Sequence, residues 1–195
     1  MRLGHRLFCA IDIPEDVRTR LGDHIQHLRQ VVPNAQASWS RVTNIHLTIK
    51  FFGDVEEDNT EKLSAAAARV AQEFSPFQIR VGGAGAFPEQ GLPRVLWIGI
   101  DDPSGNLANL QQRFEDECAK EGFPKEKRAF RPHLTLARIR NPQGSRALVA
   151  IHKEIGFASR EIAVSELLLI RSELSSEGSR YTVISRHRLG VVQVP

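Results

Sequence analysis

Ile45-His46-Leu47-Thr48-Ile49-Lys50-Phe51-Phe52-Gly53 and Phe130-Arg131-Pro132-His133-Leu134-Thr135-Leu136-Ala137-Arg138 carry one tripeptide, His-Leu-Thr, twice. Both stretches are rich in β-branched and aromatic residues, and apolar positions alternate with polar ones, the period of a half-buried strand. Side chains of a strand point alternately to its two faces. Ile45, Leu47 and Ile49 therefore face a core while His46 and Thr48 share the other side. Leu134 and Leu136 do the same for His133 and Thr135.

Working outward, four segments have apolar residues at helical spacing. Pro14 stands at a first helical position ahead of Val17, Leu21, Ile25, Leu28 and Val32, and Pro33 ends the run. A second helix begins near Asn59 or Thr60 and buries Leu63, Ala67, Val70 and Phe74 before Pro76. The third takes Ser104 as its cap, sets Leu107, Leu110, Phe114 and Cys118 on one face, and stops at Gly122. The fourth starts near Ser145, uses Leu148, Ile151 and Ile155, and stops at Gly156. Strand-like runs fill 7–13, 45–52, 77–81, 95–100, 134–139, 162–170 and 181–185. The order is β-α-β-α-β, given twice, with one further strand.

His46 follows Phe8 by 38 residues and His133 follows Val95 by 38, so both comparisons share an offset of 87. Few identities outside the tripeptides survive at that offset. Accidental spacing in an α/β chain would give the same arithmetic, but duplication into two related lobes is the preferred reading, with units of roughly 6–86 and 93–190 inside one domain of 1–195.

A chain of 195 residues with 41% hydrophobic and 25% charged residues should fold as a globule. Arg2, His5 and Arg6 precede an apolar run, but Asp12 stops it too early for a signal peptide or a bilayer span, so a cytoplasmic protein with no membrane partner is expected. Cys9 and Cys118 form no close pair, which argues against a disulfide framework or a zinc site; Cys9 is expected in the core and both are expected reduced. The net charge of +3 and pI near 9.1 fit an anionic partner such as a nucleotide or RNA, though many basic proteins bind neither.

A single strand histidine is usually a satisfied structural residue. Seven histidines and six threonines predict about 0.2 His-x-Thr tripeptides by chance, so two with the same leucine call for a function. A metal site is the weaker functional reading: each strand offers one good ligand and no carboxylate stands at a comparable position. Phosphoryl chemistry uses these residues directly. In-line displacement at phosphorus needs a base on the entering oxygen and an acid on the leaving one, which two imidazoles supply near neutral pH. The hydroxyls of Thr48 and Thr135 can donate to the non-bridging oxygens. Arg138 either adds positive charge there or is simply solvated.

Other features say less. Gly82, Gly83 and Gly85 suggest a phosphate loop, but Pro88 replaces a third fingerprint glycine, so a bulge or turn is the better reading. Phe8, Trp39, Phe51 and Phe87 are candidates to stack on a base, of which one or two need face a ligand. His5, His24, His27, His152 and His187 lack paired context and are expected at the surface.

The chain resembles the two-histidine phosphoesterase superfamily and, within it, the RNA 2′,3′-cyclic phosphodiesterases, also called 2′-5′ RNA ligases. The residues that carry this are Arg6-Leu7-Phe8 with Ala10-Ile11, positions 44–53, positions 130–138, and Leu167 to Ile170 with Ser172, Leu174, Gly178 and Tyr181. The resemblance implies an α+β, bilobal fold: two pseudo-symmetric lobes, each with a mainly antiparallel sheet and outer helices, around a central cleft. It also implies hydrolysis of RNA 2′,3′-cyclic phosphate ends to 2′-phosphomonoesters with no cofactor and no metal. His46 would be proton donor, His133 proton acceptor, and Thr48, Thr135 and Arg138 substrate-binding. Reverse 2′-5′ ligation belongs to the same chemistry. A small cyclic phosphate such as a cyclic nucleotide or ADP-ribose 1″,2″-cyclic phosphate is the alternative substrate, and a non-catalytic nucleotide-binding domain the alternative class. A monomer is expected.

Overall fold

The computed structural model describes residues 5–141, 145–176 and 178–190; Arg2 lies outside them. In chain order these form β1 (His5–Ile11), α1 (Glu15–Val31), β2 (Ala37–Trp39), a 3-10 turn (Val42–Asn44), β3 (Leu47–Val55), α2 (Glu57–Gln72), β4 (Phe77–Phe87), β5 (Val95–Asp101), α3 (Asn106–Lys120), β6 (His133–Ile139), α4 (Arg146–Ile155), β7 (Arg160–Val164), β8 (Glu166–Ser175) and β9 (Gly178–Arg188). Every pairing is antiparallel, in the order β7-β4-β5-β6-β3-β1-β8-β9, with β2 added on β6.

The apolar run 162–170, expected as one strand, breaks at Ser165. β7 pairs with β4 at one end of the order, whereas β8 pairs with β1 near the other. One residue spans less than about 4 Å, so the ends of the sheet must approach each other and it curls into a half-barrel. β3-β1-β8-β9 and β7-β4-β5-β6 are the two lobes, joined where Leu47 pairs with Leu134. Helix α2 packs on β8, β9 and α3, while α4 packs on β4 and α1. The bilobal α+β architecture follows.

Strand register repeats the 87-residue offset. Ala10 opposite Thr48 matches Trp97 opposite Thr135, Ile11 opposite Leu47 matches Ile98 opposite Leu134, and the irregularity between Cys9 and Ala10 matches that between Leu96 and Trp97. We propose on this ground that units 6–86 and 93–190 are related by duplication.

Strand β1 is buried on both faces. Leu7, Cys9 and Ile11 enter the large core under the helices, while Phe8 and Ala10 join Leu168 and Ile170 in a small cluster on the other side. Cys9 and Cys118 are both buried and free. Gly83 has φ +71° where the β4–β5 ladder shifts register, so the glycine run is a bulge and not a phosphate loop. A Cβ on Gly85 would lie 2.2 Å from the Trp97 indole, which explains that glycine.

Several local expectations change. Pro14 is the residue before α1 and not its first, and α2 starts at Glu57. Gly105 with φ +73° occupies the α3 cap position; the Ser104 hydroxyl and Asp102 carboxylate accept from the Asn106 and Leu107 amides at 3.2 and 2.7 Å. Ile155, expected inward, is exposed.

The surface assignment of the unpaired histidines holds for His27 alone: His5 and His187 are half-buried, and His24 and His152 are buried. His152 Nε2 lies 3.1 Å from the Trp97 carbonyl, which can only accept, so its Nδ1 accepts from His24 Nε2 at 2.9 Å. Burial, followed by the charge of the partner ring, lowers His24 from 6.5 to about 4, and burial lowers His152 as well. A group whose proton affinity falls on folding binds more protons unfolded, so stability is full above about pH 6.5 and drains as pH falls towards 4. The thermal midpoint is expected to drop over that window, and less steeply in His24→Gln; parallel melting curves at pH 7.5 and 4.5 check it.

Candidate active site

His46 stands just before β3 and not within it, yet the burial alternation runs through it: Ile45 and Leu47 are buried, His46 and Thr48 half-buried. The 3-10 turn ahead of it is clamped from outside. Arg18 on α1 donates to the carbonyls of Val42 and Ile45 at 3.0 and 3.1 Å and pairs with Asp12. His46 Nδ1 lies 2.7 Å from the Asn44 carbonyl. A carbonyl only accepts, so Nδ1 carries the proton and Nε2 is left for a ligand. His133, first residue of β6, repeats this with Nδ1 2.7 Å from the Arg131 carbonyl.

Aromatic rings fix both imidazoles. His46 stacks on Phe8 with centroids 4.6 Å apart and meets Tyr181 edge-on at 5.4 Å. His133 meets Phe87 edge-on at 5.1 Å. Phe8 is buried beneath His46, Trp39 packs on the core, and Phe51 is the candidate stacking residue left largely exposed.

A cleft of about 460 Å³ is lined by His46, Thr48, Thr135 and Arg138, all anticipated, and by Arg6, Ser40, Asn44, Ser172, Ser179 and Tyr181, none of which was singled out for the site. His133 is not among the residues that line this cleft; it stands two residues before Thr135, which does, on the same face of β6. Two added residues bind the walls together: the Ser40 hydroxyl donates to the Thr135 carbonyl at 2.8 Å, and the Asn44 side-chain amide to the Ser179 carbonyl at 2.7 Å. Arg138 is exposed, at the rim.

Burial lowers His46 from 6.5 to about 4; the Asn44 carbonyl and Asp12 oppose this, while Arg18 and His133 add to it. Burial also lowers His133, against the Arg131 carbonyl and helped by Arg138. Both rings are therefore neutral at pH 7 in the free protein, each offering an Nε2 lone pair. An anion in the cleft would favour the imidazolium form. Among the described residues no three His, Cys, Asp or Glu side chains gather as metal ligands, and no helix is long and apolar enough to cross a membrane.

Because Arg18 holds the backbone that delivers His46, Arg18→Ala is expected to lower turnover about tenfold by misplacing the ring. Steady-state kinetics beside a circular dichroism spectrum separates this from unfolding.

A curled antiparallel sheet with two inward His-x-Thr segments defines a two-lobed phosphoesterase-like class. Residues 14–175 match the family model of the 2′-5′ RNA ligase superfamily, and the chain belongs to that superfamily. It is 34% identical over 187 residues to the RNA 2′,3′-cyclic phosphodiesterase of Methanothermobacter thermautotrophicus, covering 94% of this chain and 98% of that one. Among solved structures, a Thermus thermophilus protein superimposes with TM-score 0.77 at 28% identity, covering 94% of this chain and 97% of that one. Escherichia coli LigT complexed with 3′-AMP gives TM-score 0.73 at 28% identity, covering 95% and 98%.

Proposed function

We propose that this protein hydrolyses the 2′,3′-cyclic phosphate end of RNA to a 2′-phosphomonoester by metal-independent acid/base catalysis between His46 and His133. The observation that carries the reading is the matched pair of imidazoles. Each donates Nδ1–H to the carbonyl two residues back and keeps Nε2 for substrate, on segments paired at Leu47 and Leu134. The curated relatives of the family and the LigT complex with 3′-AMP supply the substrate class.

In this mechanism His133 Nε2 takes a proton from water as the water oxygen attacks phosphorus. The P–O3′ bond breaks on the opposite side, and His46 Nε2–H protonates the departing O3′, so one proton enters and one leaves the pair. Burial makes the His46 imidazolium a strong acid, and the substrate's negative charge supplies the stabilisation that lets it form. Thr48 and Thr135 donate to the non-bridging oxygens, where charge builds, and Arg138 adds positive charge at the rim. Ligation, in which a 5′ hydroxyl attacks in place of water and O3′ again departs to leave a 2′-5′ diester and a 3′ hydroxyl, uses the same groups in the same roles.

Incubation in EDTA with an RNA ending in 2′,3′-cyclic phosphate is expected to give a 2′-phosphate and a free 3′ hydroxyl. A 3′-phosphate product, or turnover only with added metal, would overturn the assignment.

A further inference from the structure

At the 87-residue offset the two arms of the cleft match through His46 and His133 and through Thr48 and Thr135, then diverge. Phe51 stands on β3 where Arg138 stands on β6, and Gly53 stands where Arg140 does. One arm is aromatic, with the Arg6 guanidinium 4.9 Å from the centroid of the exposed Phe51 ring. The other is cationic.

Ser38 lies directly across the β2–β6 ladder from Arg138, so the two share a face. Arg140 Nε donates to the Ser38 hydroxyl at 2.6 Å and so reaches that same face, next to Arg138 and Ser40 in the cleft lining. Arg140 is exposed, and among the described residues no carboxylate pairs with its guanidinium. As alternate residues Arg138 and Arg140 leave the backbone about 6.6 Å apart, so two side chains of arginine length on one face can reach consecutive phosphates of an extended polynucleotide. A guanidinium oriented by a hydroxyl and not neutralised by a carboxylate keeps its fork of donors for an anion.

We propose that Arg140, held by Ser38, binds the internal phosphodiester adjacent to the terminal cyclic phosphate, so that the cyclic end of a polynucleotide is bound in preference to a mononucleotide. This rests on the phosphodiesterase reading. Arg138 serves the terminal phosphate, Arg140 the next one, and the strand leaves the cleft along β2 and β6.

The test compares three ligands: a nucleoside 2′,3′-cyclic phosphate, a dinucleotide with the same cyclic end, and that dinucleotide with an uncharged methylphosphonate linkage. Arg140→Ala is expected to lower kcat/KM on the charged dinucleotide about tenfold, mainly through KM, and by less than about twofold on the methylphosphonate. The slope of log kcat/KM against log salt for the charged dinucleotide should become shallower by about 0.7. Equal losses on the charged and uncharged linkages would overturn the proposal. Should the wild type turn over none of the three, the phosphodiesterase reading fails separately, and equilibrium binding of the two dinucleotides decides the Arg140 site. A preference for the charged linkage that Arg140→Ala removes supports it; no preference overturns it.

Discussion

His133→Ala and His46→Ala are each expected to lower kcat on an RNA 2′,3′-cyclic end by about 10²–10⁴, the usual contribution of a positioned acid or base. The two act as a unit, since proton removal from water and protonation of O3′ belong to one displacement, so the double variant should lose little beyond either single one. The pH profile carries the sign of the shifts. Burial lowers both histidines from 6.5 in the free protein, His46 to about 4. Because kcat/KM reports the free enzyme, its bell should centre below pH 6.5. The bound phosphodiester favours the imidazolium, so the bell for kcat should be displaced to higher pH. Rates measured from pH 4 to 9 check both. A flat profile, or near-wild-type turnover in either alanine variant, would remove acid/base catalysis by this pair.

What the sequence disclosed about the site is what local periodicity can encode. The alternation through Ile45–Ile49 and Leu134–Leu136 placed His46, Thr48, His133 and Thr135 on one side, and the described burial follows it. The rest depends on contacts far apart in the chain. Asn44 meets the Ser179 carbonyl 135 residues away, Ser40 meets Thr135 95 residues away, and the buried His24–His152 pair is separated by 128. No window of a dozen residues contains those partners. The run 162–170 hid its break for a different reason: both sides of Ser165 are apolar because each half is buried in a separate lobe. Lys50 shows the limit of the period itself. Strict alternation would set it beside His46 and Thr48, but the register irregularity opposite it, between Cys9 and Ala10, accompanies its burial on the core side.

That burial makes Glu115→Leu the substitution with the largest expected effect on stability. Lys50 Nζ lies 2.5 Å from Glu115 Oε2 and 2.9 Å from the Pro124 carbonyl, with both charged side chains almost fully enclosed. Glu115 also accepts from the Glu126 amide at 3.1 Å and the Gln111 side chain at 3.2 Å. Removing the carboxylate alone strands an ammonium in the core and should cost about 3–5 kcal/mol, lowering Tm by roughly 10 °C. The double change Lys50→Met with Glu115→Leu removes both charges together and is expected to restore Tm to near the wild-type value, since well-packed apolar replacements of buried pairs are often neutral or stabilising. Activity should not return with it. Lys50 and Glu115 hold Pro124 and Glu126, in the segment that leads from α3 into Arg131, whose carbonyl fixes the His133 ring. A double variant with recovered Tm and kcat still reduced severalfold would assign the pair to positioning that segment. Recovery of both would assign it to stability alone.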